Sequence, residues 1–175
     1  MLEPGTVVRS PRGTVVEVLE SSPERLRIRR ELPPATGKTP LHQHENGVET
    51  FRVLEGEVSG RSGAGMRLLR AGEVLEVPVN TPHVHPHTAS DATAVIEHTI
   101  EPQPRFVQVY FPSWMAWLAE GSVNGQDEPT FLSVMSLMRD GGGGTWLTGP
   151  PVAAQRALAR GLAPVAAARG YRAVT

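Results

Sequence analysis

A chain of 175 residues is long enough for one domain with a real core, or for one domain with a short appendage. Hydrophobic residues at 39% against 20% charged exclude an intrinsically disordered chain, and a formal net charge of -1 leaves no broad positive field for a phosphate backbone. The absence of cysteine excludes disulfides, thiolate metal sites and a cysteine nucleophile together.

The first residues, MLEPGTVVRSPRG, lack the basic segment and apolar run of a signal peptide, and no apolar stretch approaches bilayer length. The expectation is a cytoplasmic protein without membrane or nucleic-acid partners. From about residue 6 to 101 the chain alternates short β-prone runs with Gly, Pro and Asn, the spacing of an all-β barrel or sandwich. Expected strands are Thr14 to Leu19, Arg25 to Glu31, Glu49 to Leu54, Met66 to Leu69, Glu73 to Val77, His83 to Thr88 and Thr93 to Ile100. Leu26, Ile28 and Arg30 alternate with Arg25, Arg27 and Arg29, so one face is mostly apolar and the other charged. Arg30 falls on the inward register, where it could anchor an anionic substrate. In the last strand Ala94, Ile96, His98 and Ile100 share the inward face.

After Glu101 the pattern changes. Phe106, Tyr110, Phe111, Trp114, Trp117 and Leu118 recur at helical spacing, with Pro112 expected to kink or split the helix. A second apolar run, Phe131 to Met138, stops at Gly141 to Gly144, and a third, Val152 to Ala168, is expected to break around Gly161 and Pro164. The division is therefore a barrel over residues 1–102 and a helical extension over 103–175, packed on the barrel or on a second subunit of a homodimer.

The segment Leu41 to Gly56, LHQHENGVETFRVLEG, carries the chemistry. Two histidines one residue apart in an extended chain lie on one face with Cα atoms about 6.6 Å apart, so both imidazoles reach one ion. Asn46-Gly47 signals a two-residue hairpin, which would set Glu49 opposite His44 and bring its carboxylate to the same place. Imidazoles with a carboxylate suit Zn, Fe, Mn, Ni or Cu better than Ca or Mg.

These residues resemble the cupin family. Its first motif is a Gly, a short spacer, His-x-His, three or four residues, Glu, six residues and Gly; here Gly37 precedes His42, His44, Glu49 and Gly56, with Gly37 one residue nearer than usual. The second motif is matched by Gly72, Pro78, Asn80, His83 and His87, with Asn80 in place of a turn glycine and His87 in place of a terminal Asn. The resemblance implies a double-sheet jelly-roll barrel holding one divalent transition metal (Fe, Mn, Ni or Zn) on His42, His44, Glu49 and His83. It does not imply one activity.

His83, His85 and His87 share a face in a regular strand, but Pro86 belongs at an edge or bulge, so one of the extra histidines is expected to turn away. His85, His87 and His98 are each either substrate contacts or hydrogen-bonded packing residues. The expected function is a metal-dependent enzyme on a small organic substrate, foremost a dioxygenase with Glu49 as base. A sugar-type isomerase or epimerase and a non-enzymatic ligand-binding module are the alternatives.

Overall fold

Alternating burial along the chain builds one strand-rich body in the computed structural model, which describes residues 1–89, 91–141 and 143–174. Its strands are β1 Val7–Arg9, β2 Val15–Ser21, β3 Leu26–Leu32, β4 His42–His44, β5 Val48–Ser62, β6 Gly65–Arg70, β7 Val74–Val77, β8 His83–His87, β9 Ala94–Glu101 and β10 Thr145–Leu147. The helices are α1 Arg105–Glu120, α2 Phe131–Asp140 and α3 Val152–Ala168. All pairings are antiparallel, in the order β1-β2-β3-β9-β5-β8-β4-β10, with β6 and β7 both on β5. This is the cupin-type jelly-roll barrel that the motifs imply. All seven expected strands are present; β1, β4 and β10, three residues each, were not assigned as strands from the sequence.

The 15-residue β5 is the corner of the barrel. Its first half pairs β7 and β9, and its second half pairs β6 and β8, with a register shift between Val53 and Glu55 on β9. Gly56 makes the corner possible: at φ 77° an added Cβ would stand 2.4 Å from the Thr93 carbonyl oxygen.

One core cluster, including Leu32, Phe51, Val53, Leu69, Leu75 and Ile96, fills one part of the barrel. The other is closed by α1: Val107, Phe111, Trp114 and Leu118 pack on Val16, Val18, Leu26, Ile28 and Ile100. Burying each large side chain of that stripe contributes about 1.5–3 kcal/mol. Within this chain the extension covers the barrel.

Three expectations of local structure are corrected. Asn46-Gly47 does not form a hairpin: β4 pairs β8 and β10, whereas β5 opens by pairing β7 and β9, so the segment between them crosses from one sheet to the other. Glycine is needed at position 47, where φ is 82° and an added Cβ would meet the Pro102 carbonyl oxygen at 2.9 Å. Pro112 does not split α1, where Ser113 Oγ donates to the Val109 carbonyl within the same turn at 2.6 Å. Nor is α3 broken at Gly161 or Pro164, since buried Ala159, Ala163 and Ala166 hold one face. Among the described residues no helix is long and apolar enough to cross a membrane.

Candidate metal centre and its cavity

His42 on β4 stands opposite His83 on β8, and the histidine two residues on from each, His44 and His85, also turns inward. Ligand atoms of these four all lie within 4.8 Å of one another. Glu49 arrives from the other sheet, opposite Val77 and Ile100 at the start of β5. Its Oε1 is 3.4 Å from His44 Nε2 and 3.4 Å from His98 Nε2, and its Oε2 is 3.2 Å from His83 Nε2 and 3.3 Å from His85 Nε2. The carboxylate thus meets the imidazoles as expected, but by the approach of two sheets rather than across a hairpin.

Orientation separates the histidines. His42 Nδ1 is 2.8 Å from the Pro40 carbonyl and His83 Nδ1 is 2.9 Å from that of Thr81. A carbonyl only accepts, so each Nδ1 is a donor and Nε2 is the nitrogen left to face an ion. His44 Nδ1 is 2.7 Å from Thr145 Oγ1, so β10 of the extension backs a barrel histidine. His85 and His98 have no hydrogen-bond partner on either nitrogen among the described residues.

The donor set fits a transition ion. Nε2 of His44, His83 and His85 and Oε2 of Glu49 are buried without hydrogen-bond partners, an expensive arrangement unless another species satisfies them. Around an ion with bonds of about 2.1 Å, neighbouring donors sit roughly 3 Å apart and opposed ones roughly 4.2 Å, in keeping with the spacings here. Burial is the largest influence on His42, His44, His85 and His98 and lowers all four, His42 well below its ordinary value and His85 to about 3. Their lone pairs are free at neutral pH. Burial pushes Glu49 up, but His44, His85, His98 and His83 beside it outweigh that and hold it well below the usual carboxylate range.

The remaining expected residues fall as follows. His98 lies between two rings, stacked on Phe51 at 4.1 Å and edge-on to Phe111 at 5.8 Å between ring centroids. His87 leaves the cluster because the β5–β8 register shifts between Ser59 and Arg61, next to Pro86, and its Nδ1 lies 3.0 Å from the His85 carbonyl. Arg30 is inward and 2% exposed, but Glu128 takes its charge at 2.6 Å and Trp114 lies under the guanidinium at 4.7 Å. It does not line the cavity.

That cavity, about 80 Å³, opens on His42, His44, Glu49 and His85. Its other walls come largely from the extension, among them Phe106, Val107, Leu137, Met138 and Trp146. Tyr110, Glu128 and Thr145 line it too, and none was singled out in the sequence as a site residue. One available signal was Arg30 itself, since an arginine on an inward register demands a buried acid.

The family model described as "Cupin domain" matches residues 28–100, the stretch that contains every residue of the cluster. That stretch of the chain matches the cupin family. Solved structures similar to this chain include one from Thermus thermophilus, 26% identical over 53% of this chain and 86% of that one, TM-score 0.47. Others are an RmlC-like cupin from Shewanella frigidimarina, 17% identical over 56% and 84%, TM-score 0.48, and a predicted oxalate decarboxylase from Thermotoga maritima, 20% identical over 58% and 99%, TM-score 0.48. No curated protein matches the sequence at a significant level.

Because Thr145 orients His44, Thr145→Val is expected to leave the fold intact and to weaken metal binding by about tenfold or more. Backbone pairing of β10 with β4 does not need the hydroxyl. Competition against a chelator measures the effect, and unchanged affinity would assign Thr145 a packing role only.

Proposed function

We propose that this chain is a mononuclear metal-dependent enzyme acting on a small organic molecule, with dioxygenase chemistry as its reaction. The observation that carries the proposal is an imidazole and carboxylate cluster opening directly on a cavity walled mainly by apolar side chains. In the proposed site His42, His44, His83 and Glu49 hold one divalent ion (Fe, Mn, Ni or Zn), and His85 stands beside them. Such an ion, when bound, supplies Lewis-acid and, if Fe or Mn, redox chemistry toward substrate and O2.

The chain's own groups supply the rest. Glu49, kept ionised among imidazoles, is the acceptor for a substrate proton. His98 abuts Glu49 Oε1 at 3.4 Å. Phe106, Val107 and Leu137 keep water away and favour a ligand with an apolar body over a polyol. The apolar lining favours oxidative cleavage over a sugar-type isomerisation.

Element analysis of protein purified without added metal, followed by an oxygen electrode during a screen of small acids, phenolics and sugars, tests the reading. The expected result is about one Fe, Mn or Ni per chain and O2 uptake matched to substrate loss. Turnover with zinc and no O2 uptake would replace it with isomerisation, and ligand-induced melting shifts without turnover would replace it with a binding module.

A further inference from the structure

Four polar or charged side chains in and around the cavity are not explained by metal holding, and they interlock. Glu128, 2% exposed, receives Arg30 at 2.6 Å on Oε1 and the Tyr110 hydroxyl at 3.3 Å on Oε2. Asp127 beside it takes the hydroxyls of Ser10 and Thr14 on one oxygen, at 2.7 Å each, and its carbonyl accepts from Trp114 Nε1 at 2.9 Å. The loop bearing Glu128 is thereby locked to the β1–β2 turn, β3 and α1 and does not have to be ordered by a ligand.

Two consequences follow for anything entering the cavity. The positive charge of Arg30 is neutralised by Glu128, and no lysine or arginine lines the cavity among the described residues, so an anionic head group has no counter-charge apart from an ion at the centre. The Tyr110 proton is committed to Glu128, which leaves the phenolic oxygen with lone pairs for a donor. Burial and the nearby Glu128 keep that phenol protonated, so it does not act as a phenolate at neutral pH.

We propose that Tyr110 is the specificity-determining anchor of this cavity, and that the ligand is a small molecule with an apolar body and one hydroxyl or N–H group that donates to the tyrosine oxygen. The proposal takes the cavity beside the histidines as the substrate site and so rests on the reading above. Size limits the ligand further: about 80 Å³ accommodates roughly five to eight waters, hence a ligand of about that many non-hydrogen atoms.

The test uses binding alone, so its outcome is independent of any O2 chemistry. Zinc-loaded protein is titrated calorimetrically with benzyl alcohol, with its isomer anisole, an ether of the same size that has no donor, and with glycerol. Benzyl alcohol is expected to bind about tenfold tighter than the ether, the worth of one hydrogen bond, and glycerol at least tenfold weaker than either. Tyr110→Phe should erase the alcohol-over-ether preference while zinc content is unchanged. Val134→Trp, at a half-buried cavity wall, should abolish binding of both aromatic probes and serves as the second variant. Equal affinity for alcohol and ether, a preference that survives in Tyr110→Phe, or glycerol binding best would each overturn the assignment. If the preference behaves as expected but no ligand supports O2 uptake, the anchor stands and the dioxygenase reading falls.

Discussion

Glu49→Gln is expected to keep metal at saturating concentration and to lose turnover by about a hundredfold to ten-thousandfold, the usual contribution of a general base. The carboxylate touches four imidazoles at 3.2 to 3.4 Å and is buried, yet the charge is held rather than expelled. An amide of the same shape keeps the packing against His98 and His83 but cannot take up a proton. Three imidazoles with Nε2 aimed inward still bind an ion, though more weakly without an anion to balance its charge. His83→Ala is the contrasting variant. It removes a nitrogen donor from a fully buried site backed by the Thr81 carbonyl, and should cost about a hundredfold or more in metal affinity. Metal affinity measured by chelator competition and turnover by O2 uptake separate the two roles. A Gln variant unchanged in both would reduce Glu49 to an ordinary strand residue.

Much of the barrel was legible because half-buried strands write their period into the sequence. Leu26, Ile28, Arg30 and Leu32 are buried in β3 and Arg27, Arg29 and Glu31 are not, as the alternation dictates. The position of Asn80 was legible too: it takes φ 59°, where a glycine would ordinarily stand. Pairing partners were less so. Asn46-Gly47 is a strong local hairpin signal, but β5 is held by β9 over eight register pairs, and that long-range ladder overrides the two-residue preference. Helix breakers misled in the same way, since Pro112 and Pro164 each remove one backbone bond from helices whose buried stripes hold them.

What stayed hidden in the sequence were the contributions of the extension to the site. Thr145 lies in a three-residue strand beside the glycine run and has no periodicity to reveal it. Tyr110 belongs to the apolar stripe of α1 and reads as core, and Glu128 sits in a Gly, Asp and Pro-rich loop and reads as solvated surface. Only the three-dimensional meeting of Arg30, Glu128 and Tyr110 gives either of them a role.

Acidifying the metal-free protein below pH 6.5 should destabilise it steeply. Burial keeps His42, His44, His85 and His98 neutral in the folded state well below the pH at which they would protonate in the unfolded chain. Below 6.5 the unfolded chain therefore binds more protons than the folded one, so stability rises with pH and is lost as pH falls. Each imidazole held neutral contributes about 1.4 kcal/mol per pH unit, and for His85 the loss runs from 6.5 down to about 3. A metal ion on the Nε2 atoms should delay the loss to lower pH by competing with protons for those lone pairs, and its release should coincide with unfolding. Urea unfolding of chelated and zinc-loaded protein at half-unit steps from pH 7 to 4.5 measures both curves. His85→Phe should flatten the chelated curve by about one proton, since the phenyl ring fills the site beside Phe51 without titrating. A chelated protein equally stable at pH 6.5 and 5, or a variant with an unaltered slope, would mean that these imidazoles already carry their protons when folded, and a cluster in that state would have to expel them before it could hold a cation.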